Sequence, residues 1–484
     1  MQATDEARTN PLGVTWIRTL GAIFSLALLV ATAAVSTNGA AVAAPGELST
    51  SMVEMLDESD TSSPVTLSKV RDDLFGGDAP GYGKGVDVAV IDTGVSPVDG
   101  LTGDKVLHGP DLSMEGSSPE VAYLDTYGHG THMAGIIAGN RSGHEGIAPS
   151  ARIVSIKVAG HDGITTVPQV VAAIDWVIDH RNADGLNIRV LNLSLGQSGV
   201  TTHVGDVLSA AVERAWDAGI FVVVAAGNDG DSQQHLDSPA IDPYIMAVGA
   251  VDTTGLDDEG EADDEDRDER NVPGWSARGD GHRNPDLVAA GRSVASYRVP
   301  GSTADLAAPS ARYGDDLFLG SGTSQSAAVT SGLGAVILGA NPSMTPDQVK
   351  ATILHGTFDL DEVSSTRQGH GHVDGNAAVS AGPVPATKID APHAADGADF
   401  VVPTGMTWSG GTWSGMTWSG ATWSGMTWSG GTWSGMTWSG MTWSGATWSG
   451  MTWSGGTWSG ATWSGATWSG ATWSGMTWSG EGWS

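Results

Sequence analysis

Short apolar runs bounded by Gly, Asp or Asn recur along the middle of the chain. Val86–Ile91, Ile153–Val158, Val190–Ser194, Ile220–Ala225 and Ile245–Val251 are β-branched and continuous rather than alternating, the pattern of strands buried on both faces. Between several of them lie amphipathic stretches, Val167–Asp179 and Val204–Asp217, and a further apolar helix is predicted over Ala327–Leu338. Strands alternating with helices predict an α/β fold in three layers, with a mainly parallel central sheet and helices on both faces.

Outside residues 67–380 the pattern changes. Arg8 and Arg18 precede a largely apolar, uncharged run from Leu20 to Val35, and Ala41-Val42-Ala43 follows as a small-residue cleavage site. This predicts a bacterial-type signal peptide over 1–43 and a secreted or cell-surface protein; the run is short for a membrane span of about 20 residues. Residues 44–66 are acidic and rich in Ser, Thr and Pro, a solvated leader. Residues 381–403 form a Pro/Ala/Gly linker. Residues 404–484 are a low-complexity repeat tail, with fifteen copies of x-T-W-S-G from Met406 to Gly480 and a degenerate copy at the end. A Gly in every unit argues against helix. An extended tail and a coil with five residues per side are both compatible with the period, though indoles stacked inside such a coil would be crowded. Sixteen of the twenty Trp residues lie here, so the array is read as an aromatic surface for cell-wall glycan or for self-association.

The formal net charge of −33 excludes nucleic-acid binding, which needs Lys and Arg against phosphate. The absence of Cys excludes disulfides and thiol chemistry. The run 257–270 holds ten acids and two arginines; it reads as a solvated loop, and it lacks the ligand spacing of an EF-hand calcium loop.

Three motifs carry candidate chemistry. Val88-Ala89-Val90-Ile91-Asp92-Thr93-Gly94 delivers an Asp at the carboxyl end of a buried strand, where open α/β sheets place their sites. Gly128-His129-Gly130-Thr131-His132-Met133-Ala134-Gly135 opens a small-residue helix with a His; no Glu follows His129, so a zinc-binding H-E-x-x-H reading fails. Ser321-Gly322-Thr323-Ser324-Gln325-Ser326 places a Ser at the head of an apolar helix, either as an N-cap or as a nucleophile in the field of the helix N-terminus.

Together these motifs resemble the subtilisin-like serine proteases, the subtilases, in which the triad runs Asp, His, Ser along the chain. Val222–Gly230 resembles the family's strand with the oxyanion-hole asparagine, and Asn192–Gly196 its substrate-binding strand. Pro285–Gly291 and Asn341–Thr357 extend the likeness over roughly residues 67–380. The resemblance implies a subtilisin-like fold and hydrolysis of polypeptide substrates by Asp92, His129 and Ser324, with Asn228 in the oxyanion hole. It implies that Ser194, Leu195 and Gly196 form one substrate edge and Gly163 and Ile164 the facing one. Ala225, Ala226 and Gly227, with Asp237–Ala240, would wall the primary specificity pocket. There Asp237 is either a partner for a basic side chain before the cleaved bond or a solvated loop acid.

The chemistry requires no cofactor. Structural calcium is implied by the resemblance, with no ligands assigned. The sequence departs from the family in having no evident folded prodomain before Val65, and in Gln325, Ser326 and Ala328 after the serine. A surface-binding or structural protein carrying an inactive protease domain is the competing reading.

Overall fold

The computed structural model describes residues 63–77, 81–255, 270–386, 389 and 391–396, and the backbone of 47–49 and of the T-W-S triplets of the repeat. The strands are β1 (Glu47–Ser49), β2 (Val65–Thr66), β3 (Asp87–Asp92), β4 (Val106–Asp111), β5 (Arg152–Lys157), β6 (Ile164–Thr166) and β7 (Ile188–Leu193). They continue with β8 (Phe221–Ala225), β9 (Met246–Val251), β10 (Leu287–Ala290), β11 (Val294–Tyr297), β12 (Leu317–Gly320), β13 (Thr357–Phe358) and β14 (His372–Val373). The longer helices are α1 (Leu67–Phe75), α2 (His129–Ala138), α3 (Val167–His180), α4 (Val207–Asp217), α5 (Thr323–Ala340) and α6 (Pro346–His355).

The central sheet has nine strands in the order β13-β14-β10-β9-β8-β7-β3-β5-β4. Every neighbouring pair is parallel except β13 with β14 at one edge. Each residue of β3, β8 and β9 is buried, so both faces of the sheet are covered, as continuous apolar runs require. On the sheet α3 packs with α4, and α2 with α5. The first sixteen residues of α5 are buried without an exposed stripe, the pattern of a helix enclosed on all sides. It begins at Thr323, four residues before the predicted Ala327, because Thr323, Ser324, Gln325 and Ser326 all lie within its first turn.

Two features were absent from the sequence reading. A second sheet pairs β2 in parallel with β11 and β11 antiparallel with β12, so Val65 and Thr66 belong to the folded body. Part of the Pro/Ala/Gly segment also packs on it: Ala394 is buried, its N–H donates to Glu213 Oε1 at 2.8 Å, and His393 stacks on Tyr244.

In the repeat, the T-W-S triplets pair in parallel at a step of twenty residues, Thr407 beside Thr427 and Trp408 beside Trp428. The fifteen triplets and Gly482–Trp483 form four ladders of four strands each. Four five-residue units therefore make one turn of a coil, the alternative with five residues per side.

The strand order reverses around β3, whose neighbours β5 and β7 both follow it in the chain. Ligands of open α/β sheets bind outside the carboxyl ends of strands at such a point. The adjacent strands β3, β7 and β8 end there in Asp92, Leu193 and Ala225.

Candidate active site

Asp92 is the last residue of β3, and His129 is the first of α2. His129 Nδ1 lies 2.8 Å from Asp92 Oδ1 and 2.9 Å from Oδ2, with both side chains buried. A carboxylate only accepts, so Nδ1 carries the proton and Nε2 is left as the basic nitrogen. Nε2 is buried without a hydrogen-bond partner. The close approach depends on Gly130, where a Cβ would run into the Gly94 carbonyl and lie 3.2 Å from the Asp92 Cβ. Asp92 is itself fixed by the Thr93 N–H, which donates to Oδ1 at 2.7 Å.

Ser324 is the second residue of α5; Gly322 occupies the N-cap, so Ser324 is not a capping residue. Its Oγ donates to the Ser194 carbonyl at 3.3 Å, and Ser194 Oγ in turn donates to the Ser324 carbonyl at 3.1 Å. The serine is thus not hydrogen-bonded to His129 in this side-chain arrangement. Its N–H belongs to the first helical turn, whose donors have no partner within the helix.

Asn228 leaves the carboxyl end of β8. Its Oδ1 accepts from the Thr323 N–H at 2.9 Å and from Thr323 Oγ1 at 3.0 Å. A backbone N–H can only donate, so these bonds fix the amide orientation and leave Nδ2 as a donor held beside the start of α5. A Cβ on Gly322 would lie 3.4 Å from that nitrogen. Next to Ser324, Gln325 is buried with both amide atoms unpaired, and so are both ring nitrogens of His132. Burial, with His129 adding, pushes His132 down to about 3.

Ser194, Leu195 and Gly196 continue from β7; Leu195 is buried and Gly196 half-buried. Ala226 accepts the Asp237 N–H at 3.1 Å, and Gly227 accepts the Ala277 N–H at 3.0 Å. Gly163 has φ +70° and packs so closely on Tyr127 that a Cβ would lie 2.9 Å from the ring, which brings it near the start of α2. The adjoining edge strand β6 is paired antiparallel with β1, Ser49 opposite Ile164 and Leu48 opposite Thr165. The expected second edge is thus covered by backbone from the leader.

A sequence model of the subtilase family matches residues 83–371, more than half of the chain. The chain belongs to the subtilase family. It is 34% identical over 308 residues to Serine protease AprX of Bacillus subtilis, a match covering 61% of this chain and 66% of that one. To Subtilisin BL of Lederbergia lenta it is 32% identical over 303 residues, 61% of this chain and 91% of the relative. Among solved structures it resembles fervidolysin from Fervidobacterium pennivorans, a keratinolytic enzyme related to subtilisin. That match has a TM-score of 0.52 and 25% identity, and covers 70% of this chain and 51% of that one. The chain therefore spans less than two thirds of the length of both AprX and fervidolysin.

This subtilase also holds its site through residues that motif reading passed over. Asp125 is buried and accepts from the N–H groups of Gly128 at 2.6 Å and Thr131 at 2.8 Å, anchoring the first turn of α2. It also accepts from Thr93 Oγ1 at 2.8 Å, and Thr93 Oγ1 accepts from the Gly130 N–H at 2.9 Å. One carboxylate thereby ties the loop after β3 to the helix that carries His129. The usable signal was an Asp shortly before a predicted helix start. Thr323 was inside a quoted motif, yet its grip on Asn228 is a contact across ninety-five residues. Among the described residues no three His, Asp or Glu side chains converge as metal ligands, so no calcium site is assigned there. The acidic run 257–270 lies outside the described residues except for Arg270, which donates to Asp73 Oδ1 at 2.7 Å.

Proposed function

We propose that this subtilase is a secreted serine endopeptidase. The observation that carries the reading is the buried Asp92–His129 pair, which fixes the imidazole tautomer and leaves Nε2 free as a base. Ser324 turns away from the Ser194 carbonyl, gives its proton to Nε2 and attacks the substrate carbonyl. The tetrahedral oxyanion takes hydrogen bonds from Asn228 Nδ2 and the Ser324 N–H. His129 then protonates the leaving amine, and water attacks the acyl-enzyme by the same route in reverse, restoring Ser324.

The Asp92 carboxylate accepts from His129 Nδ1 and so stabilises the imidazolium form. The apo geometry of the serine does not count against this, since catalytic hydrogen bonds commonly tighten only with substrate bound. Peptide substrates are held as an added strand on Ser194–Gly196, and on the Gly163–Ile164 edge once that edge is open.

Export rests on the pattern of residues 1–43, which lie outside the described residues. The domain reading keeps the repeat over 404–484 and the linker over 381–403, with Ala394 packed on the catalytic unit, and moves the start of that unit from 67 to Val65, which with Thr66 pairs with β11. For the repeat we favour attachment to glycan or to further copies over a passive tail, on its sixteen Trp residues.

The test is labelling of the folded full chain with a serine-directed organophosphonate, together with peptide hydrolysis, using Ser324→Ala as control. Labelling and hydrolysis that vanish together in the variant support the proposal. An unlabelled folded protein refutes it and favours the inactive, surface-binding reading.

A further inference from the structure

Asp237 is gripped from two sides. Its N–H donates to the Ala226 carbonyl at 3.1 Å, and the next residue exchanges two backbone bonds with Gln197, Gln197 N–H to Ser238 O at 2.8 Å and Ser238 N–H to Gln197 O at 3.0 Å. These bonds set the acid between the segments ending in Gly196 and Gly227. A Cβ on Gly227 would lie 2.7 Å from Asp237 Oδ2, and one on Gly196 would lie 2.9 Å from the Asp237 Cβ and 3.3 Å from Oδ2. Only glycine at both positions leaves room for the carboxylate, so it is seated between the walls of the cleft rather than on a free loop.

Among the described residues no Lys or Arg pairs with it, and His235 and Ser198 offset its charge only in part. The neighbouring Arg278 is paired with Asp231 at 3.4 Å, and the groups acting on Asp237 are Asp229, Ser198 and His235. The residue as a whole is half-buried; the burial of its carboxyl, reinforced by Asp229, pushes it up to about 7. Asp229 follows Asn228 directly and accepts from Ser198 Oγ at 3.1 Å, adding a second acid at the same pocket.

We propose that Asp237 is the specificity-determining residue of this site and that the enzyme prefers Lys or Arg immediately before the cleaved bond. The inference rests on the endopeptidase reading and names its substrate class. A Lys or Arg side chain lays its apolar stem along Ala225–Gly227 and brings its cation to the acid at the end. A Leu or Phe side chain in the same place strips water from the carboxylate and gives it nothing in return, so discrimination has a repulsive as well as an attractive part.

The experiment is a cleavage profile of the full chain on a peptide library, followed by kcat/KM on matched substrates with Lys, Arg, Leu or Phe before the bond. We expect a preference for Lys and Arg of about tenfold to a hundredfold, the worth of a hydrogen bond to a charged group. Asp237→Asn, which keeps the shape, should lower kcat/KM on the Lys and Arg substrates by that factor, so that their advantage over Leu and Phe is lost. The wild-type profile needs no variant to fold: cleavage without enrichment of Lys or Arg overturns this inference alone. A preference that survives in Asp237→Asn also overturns it, whereas absence of any cleavage or labelling overturns the endopeptidase reading with it.

Discussion

The proposed role of Asn228 at the oxyanion requires its amide to be held by the opposite end, and this can be measured as a coupling. Removing an oxyanion donor costs about 2.7–4 kcal/mol of transition-state stabilisation, so Asn228→Ala should lower kcat by about 10²–10³ with KM little changed. The same change strips the acceptor from the Thr323 N–H. Thr323 is fully buried, and an unpaired buried donor costs about 1–3 kcal/mol of stability, so Tm should fall as well.

Thr323→Val separates the two effects. It deletes the 3.0 Å bond from Oγ1 to Asn228 Oδ1, together with the 3.2 Å bond that Oγ1 accepts from the Gly227 N–H, while keeping the 2.9 Å bond from the backbone N–H of Thr323 to Asn228. The amide loses one of its two anchors, and kcat should drop by about threefold to tenfold, the worth of one neutral hydrogen bond. Because Thr323 acts through Asn228, the same substitution should cost kcat nothing more in the Asn228→Ala background.

The assay is steady-state hydrolysis of a chromogenic peptide for all four proteins, with Tm read in a Ser324→Ala background to prevent self-digestion. Additive losses in kcat, or an Asn228→Ala enzyme that loses Tm while keeping kcat within threefold, would refute the assignment of Nδ2 to the oxyanion.

Gln325→Met removes two unpaired polar atoms from a buried position beside Ser324; it should raise stability by about 1–3 kcal/mol, while making activity peroxide-sensitive where the parent is not. A lower Tm would mean that Gln325 has a partner in solution. Asp237→Asn should show a pH-dependent gain in Tm in the Ser324→Ala background. The folded carboxyl keeps its proton up to about 7 and the unfolded one only to about 3.8, so the folded state loses stability as pH rises between these values. The variant escapes that loss, so its advantage should be absent at pH 3.5 and full at pH 8; a gain independent of pH would exclude a buried titrating acid. Deleting residues 44–62 uncovers the β6 edge that β1 now pairs with, and should lower KM for peptides long enough to add a strand there. An unchanged KM would show that β6 takes no part in substrate binding.

The strands β3, β5, β7, β8 and β9 were legible because each is buried along most of its length and carries a short run rich in β-branched and aliphatic residues, a signal that a short window contains. The second sheet was not, since Val65–Thr66 and Leu317–Gly320 are too short to show a period and gain their pairing from partners far along the chain. Asp92, His129 and Ser324 stood out through their immediate neighbours: Gly130 lets α2 approach the Gly94 carbonyl, and α5 starts one residue before the serine. Asp125 does equally specific work with four donors, yet an Asp before a helix is so common that its sequence signal is weak. Ser324-Gln325-Ser326 was read as the head of an apolar helix over Ala327–Leu338; burial draws the segment into the first turn of that helix.

Asp237 marks the boundary of what a pattern can carry. Its own neighbours, Leu236 and Ser238, say nothing about whether it is solvated, and both readings stood on the sequence alone. The decision comes from Gly196 and Gly227, forty-one and ten residues away, because side chains at those positions would occupy the space of its carboxylate. Those glycines meet there because β7 and β8 are neighbours in the sheet and both end on the side where Asp92 leaves β3. Sheet order thus converts three separate strand ends into one cleft with a base on one side and an acid on another. It follows that placing a side chain at Gly227 should displace Asp237 and abolish any preference for a basic residue before the cleaved bond, even with the acid itself intact.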